Sequence, residues 1–159
     1  MTFYTVFVID LATRRVQVLG MTPNPDEGFM RQVVRTLSMG DGECRRLLIC
    51  DRDAKWSAAV RERLHEAGIR VVQTPYRAPN ANAHAERFVR SVKEECLDRI
   101  IPIGEDHFRR AVREFVTHYH RERNHQGLDN ALIEDAPAIS AGRVQRRSRM
   151  GGLLNSRAA

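Results

Sequence analysis

Residues 46–74 read RLLICDRDAKWSAAVRERLHEAGIRVVQT, and this stretch decides the fold class. Arg46 to Cys50 is a short apolar run that ends at Asp51, the pattern of a buried strand. Ser57 can accept a hydrogen bond from the first N–H groups of a helix on which Val60, Leu64 and Ala67 share a face. Gly68 stops that helix, because glycine adopts the left-handed conformation that ends many helices. Ile69 to Thr74 is a second apolar, β-branched run. Strand, helix and strand in this order imply two parallel strands joined by a helical crossover.

Working outward, Phe3 to Ile9 and Arg15 to Met21 read as two strands around a turn at Asp10-Leu11-Ala12-Thr13, an antiparallel hairpin. Thr22-Pro23-Asn24-Pro25 breaks it. Asp26 then opens a helix with Glu27 at its positive end, and Phe29, Val33, Val34 and Leu37 form its apolar face. Gly40-Asp41-Gly42 ends it. Downstream, Pro75 and Pro79 keep a loop extended. A long helix is predicted over Asn82–Arg99, and a last one over Glu105–Arg121, packed through Phe108, Val112, Phe115, Val116 and Tyr119. The predicted architecture is one mixed α/β sheet with helices on both faces.

Composition narrows the function. The chain has 159 residues, enough for one domain with a core. No apolar run reaches the roughly 20 residues that cross a bilayer, and Met1-Thr2-Phe3-Tyr4 lacks a basic secretory leader, so a cytoplasmic protein with no membrane partner is expected. Cys44, Cys50 and Cys96 form no CxxC pair, and no HExxH spacing occurs, which argues for reduced thiols and against a zinc site. The net charge is +6, but five arginines and no acid follow Ala141. Residues 137–159 are therefore expected to form a basic, disordered tail, either a solvated terminus or a phosphate-binding arm, behind a domain spanning 1–136.

Two carboxylates carry the chemistry. Asp51 closes a strand and Glu86 opens a helix, with 34 residues between them. That arrangement suits a divalent-metal site for phosphodiester chemistry. The alternatives are a turn aspartate and a surface Glu86–Arg90 pair at i,i+4 spacing. Helical geometry puts Arg90 and Lys93 within roughly 40° of Glu86, whereas Phe88, Val89, Val92 and Cys96 cluster on another side.

The words IDLATRRVQVLG, LLICDRDAKW, TPYRAPNANAHAERFVRSVKEECLDR and HYHRERNHQGLDNAL resemble the catalytic cores of insertion-sequence transposases and retroviral integrases, the DDE superfamily. The resemblance spans about residues 3 to 132, and its most specific word is the Pro-Asn-rich turn running into AERF and KxE. It implies a ribonuclease-H-like fold. It implies Asp51 and Glu86 as catalytic metal ligands, Arg90 and Lys93 as DNA contacts, and Mg²⁺ or Mn²⁺ in a two-metal site. Asn82 would cap the helix and order the loop near DNA. The implied partners are DNA, as transposon ends and target, and further copies of the chain in a homo-oligomer. The implied reaction is DNA cleavage and strand transfer in transposition or integration. No segment reads as a helix-turn-helix for recognising transposon ends.

The family's first metal-binding aspartate sits on a first, central strand. The hairpin words here match the second and third strands, so that first strand is expected upstream of this chain, leaving an N-terminally truncated core. Asp10 also ends a strand, but that strand runs antiparallel to the missing one. A strand of six residues spans roughly 20 Å, and paired metals sit about 4 Å apart, so Asp10 would lie at the wrong edge. Asp53 falls where relatives often carry glycine. Three readings stay open: an incomplete transposase core, a small complete enzyme using Asp10 or Asp53, and a non-catalytic DNA-binding or oligomer-interfering remnant.

Overall fold

The computed structural model describes residues 2–39, 47–76, 82–134 and 145–158. The expected helix stop at Gly40-Asp41-Gly42, the Pro79-Asn80 turn, Cys44 and the start of the tail lie outside these residues. The chain forms two compact units, one of residues 1–8 and 17–85, the other of residues 9–16 and 86–159.

In the first unit, strands β1 (Tyr4–Ile9) and β2 (Val16–Thr22) pair. Only six residues connect them, too few for a crossover, so the pair is antiparallel. Helix α1 (Glu27–Ser38) starts where Asp26 accepts the Phe29 N–H at 2.7 Å. Strand β3 (Leu47–Cys50), helix α2 (Ala58–Glu66) and strand β4 (Arg70–Gln73) form the expected crossover, with β3 and β4 parallel and Ile49 opposite Val72. Ser57 caps α2 through the Val60 N–H at 3.3 Å. At its other end Gly68 has φ +78°, and Gly68 and Ile69 donate back to His65 and Leu64, each at 2.8 Å. This double return is the Schellman closure, and it swings Ile69 into the core beside Leu64.

That core joins Leu19, Met30, Val33, Val34, Leu37, Val60, Leu64 and Ile69, with Val6, Val8, Leu48 and Val71 packed against it. Both strand pairs thus lean on α1 and α2. The expectation of one continuous mixed sheet is corrected: among the described residues the strands form separate two-stranded sheets. The architecture is mixed α/β with small sheets.

In the second unit, helix α3 (Ala83–Glu95) continues from the first unit, and a 3-10 turn (Leu97–Arg99) leads to helix α4 (Gly104–Arg121). Phe88, Phe115 and Tyr119 form an aromatic cluster, with Phe88 edge-on to Tyr119 at 5.2 Å between centroids. Cys96, Ala111 and Phe115 are fully buried. The tail is not without structure: β5 (Gln145–Arg149) and β6 (Leu154–Ala158) form an antiparallel hairpin, and Leu154 is buried.

Candidate functional site

Asp51 directly follows β3 and is exposed. Its Oδ1 accepts the Asp53 N–H at 3.2 Å. The loop beyond it is organised by side chains. Asp53 pairs with Lys55 at 2.7 Å, and the Lys55 ammonium lies 5.0 Å from the centre of the Tyr4 ring. Arg52 Nε donates to the Thr74 carbonyl at 3.0 Å, tying this loop to the residue after β4. The hydrogen bond from Lys55 holds the Asp53 carboxyl below the usual range. Asp53 is thus committed to its lysine.

Glu86 lies in the first turn of α3, where the positive end of the helix dipole favours a carboxylate. It is exposed, as are Arg90 and Lys93, and the one helix carries all three along a strip. Among the described residues, none of the three side chains makes a hydrogen bond or ion pair. Asn82, half-buried, precedes α3 and makes no capping hydrogen bond among the described residues. Asp51 belongs to the first unit, and Glu86, Arg90 and Lys93 to the second.

Asp10 is a turn residue. Its Oδ1 accepts the Ala12 N–H at 3.0 Å, the Thr13 N–H at 2.7 Å and the Thr13 hydroxyl at 2.9 Å. Its backbone carbonyl accepts from Arg14, which adopts φ 62°. The carboxylate holds the hairpin connection together.

Side chains beyond the end of α4 hold α3 in place. Arg123 donates to the Ser91 hydroxyl at 2.9 Å and pairs with Glu95 at 2.7 Å, and its guanidinium sits 5.4 Å from the Tyr119 ring centre. His125 contacts Tyr119 edge-on at 4.5 Å and bonds its carbonyl at 2.7 Å. Arg123 therefore binds the middle and end of α3 to the end of α4. The word HYHRERNHQGL contains these residues, but only the fold shows which of its polar side chains turn inward.

Hard carboxylate oxygens suit Mg²⁺ or Mn²⁺. Among the described residues, however, no group of three or more His, Cys, Asp and Glu side chains could hold an ion. Asp10 is engaged in its turn, and Asp53 with Lys55. The described residues do not complete a metal site.

The first unit holds a parallel strand–helix–strand crossover, and α3 bears an exposed carboxylate and two exposed cations. Residues 67–132 match the family model described as integrase core domain, and the match supports a transposase/integrase catalytic core over that segment. Neither the curated proteins nor the solved structures gave a match. No helix among the described residues is long and apolar enough to cross a membrane.

Proposed function

We propose that this chain is a DDE-type transposase/integrase core of ribonuclease-H-like type that binds DNA and carries two carboxylates of a phosphoryl-transfer site, Asp51 and Glu86. The observation that supports it best is the integrase-core match, which contains Glu86, Arg90 and Lys93 on one helix with their charges uncommitted among the described residues. Arg90 and Lys93 hold the DNA backbone, which gives affinity rather than sequence choice. Glu86 and Asp51 are oxygen donors for Mg²⁺ or Mn²⁺, and the remaining donors come from outside the described residues. Further copies of the chain assemble on the DNA.

A nicking and strand-transfer assay with Mg²⁺ or Mn²⁺ tests this. The purified chain should bind DNA. Cleavage that is lost in Asp51→Asn and in Glu86→Gln would support the site. Cleavage lost instead in Asp10→Asn or Asp53→Asn would overturn the site. Absence of DNA binding would overturn the function.

A further inference from the structure

Along α4, Arg110, Glu114, His118 and Glu122 follow one another at four-residue intervals and form a ridge that ends one residue past the helix. Strand β5 faces it. Side chains alternate along a strand, so Arg147 and Arg149 share one face of β5. Arg110, Glu114 and Glu122 of this ridge, with Arg147, Ser148, Arg149 and Met150, line a cleft of about 590 Å³ within the second unit.

The acids of this cleft are already committed. Arg149 donates to Glu122 through Nε at 2.9 Å and to Glu114 through Nη1 at 2.8 Å. Glu122 also meets His118 Nδ1 at 3.0 Å and has only 3% of its side chain exposed. Burial pushes the Glu122 carboxyl upward, but hydrogen bonds from Arg149 and His118 outweigh that and leave it below its usual range. Arg149 is thus neutralised from two sides. Arg110 and Arg147 line the same cleft, and neither has an acid partner among the described residues. Two like charges sharing one concavity repel, and an anion seated between them would relieve that repulsion. A guanidinium fork matches phosphate oxygens in pairs.

We infer that this cleft is a second DNA contact, in which Arg110 and Arg147 grip backbone phosphates while the Arg149–Glu122–Glu114 cluster fixes the hairpin against α4. It uses none of the residues of the α3 strip. The inference rests on the reading that the chain acts on DNA, and separate variants distinguish the two.

The test is a fluorescence-anisotropy titration of labelled duplex DNA with the full chain over a series of KCl concentrations. Counter-ion release makes log K fall with log salt by about 0.9 per phosphate contact. The double variant Arg110→Gln/Arg147→Gln should bind more weakly and flatten that slope by about 1 to 2, with the melting temperature unchanged. Arg90→Gln/Lys93→Gln reports on α3 in parallel. An unchanged slope and affinity in the Arg110/Arg147 variant overturns the cleft, even where the α3 variant loses binding. Absence of DNA binding by the wild-type chain overturns the cleft and the function together. Should the glutamine pair melt early, Arg110→Lys/Arg147→Lys decides: a retained slope supports the cleft, and a flattened one overturns it.

Discussion

Val16 donates its backbone N–H to Nε2 of His120 at 3.0 Å, a buried bond between residues 104 positions apart. Both residues belong to the second unit, Val16 at the end of its 9–16 segment and His120 in the last turn of α4. The bond requires Nε2 to be an unprotonated acceptor. Glu134 stands on the other side, 3.5 Å from Nδ1, where it also receives Arg15 at 3.0 Å and Arg121 at 2.8 Å.

Stability should therefore fall on mild acidification. Burial lowers the His120 pKa below its ordinary 6.5, opposed by Glu134 and assisted by Arg15, His125 and Arg121. His125 is lowered too, chiefly by burial. The unfolded chain then binds protons that the folded chain refuses, so the stabilisation is complete above about 6.5 and drains away as pH falls toward the folded values. Thermal melts across this window should show the loss. His120→Gln, which keeps an acceptor and cannot titrate, should flatten the dependence. An unchanged pH profile in that variant would refute the assignment to His120.

Gly20 should resist substitution. A Cβ there would lie 2.8 Å from the Phe29 ring, which packs against the core of the first unit. Gly20→Ala should cost about 1 to 3 kcal/mol, the usual range for overpacking. In urea unfolding, Phe29→Leu should recover part of that loss when combined with Gly20→Ala, giving a less-than-additive pair.

Asp10 and Asp51 should behave as opposites. Asp10→Ala removes the acceptor of three hydrogen bonds in the hairpin connection and should destabilise by about 1 kcal/mol, since each exposed bond is worth little by itself. Asp51→Asn keeps an acceptor for the Asp53 N–H at an exposed position and should stay within about 0.5 kcal/mol of wild type. Equal losses in the two variants would contradict their assigned roles.

Cys96 should be inert in the native chain. Burial pushes its thiol up to about 11, and Cys50 is raised by burial together with the neighbouring Asp51 charge. The thiolate is the reactive form. Alkylation followed by peptide mapping at neutral pH should leave both unlabelled until the chain unfolds. Fast labelling of Cys96 under native conditions would count against its packing beneath Ala111 and Met150.

Local signals in the sequence translate directly into structure here. Asp26 and Ser57 cap helices because a cap needs only a side-chain oxygen three residues before its donor. Gly68 closes α2 for the same local reason. Signals that depend on tertiary partners do not. QRRSR has no apolar alternation, and β5 is held by Arg149 reaching Glu122, 27 positions earlier, while β6 is held by burial of Leu154. Whether two strand pairs join into one sheet is likewise decided by backbone geometry rather than by composition. The helix strip of Glu86, Arg90 and Lys93 is legible from periodicity. The Arg123 clamp on Ser91 and Glu95 is not, because a charged residue in a polar word gives no sign of pointing inward.

The anchoring of β5 has a practical side. Glu122 is sheathed by the protein and owes its charge balance to Arg149. A stop codon placed just ahead of β5 would strip that acid of its counter-ion and bare the surface that Leu154 shields. Breaking a buried ion pair costs up to about 3 to 5 kcal/mol, less here because His118 stays within 3.0 Å of Glu122. Anyone trimming this chain back to the edge of its integrase-core match should thus expect poor yield of folded protein, and any affinity tag belongs at the other terminus.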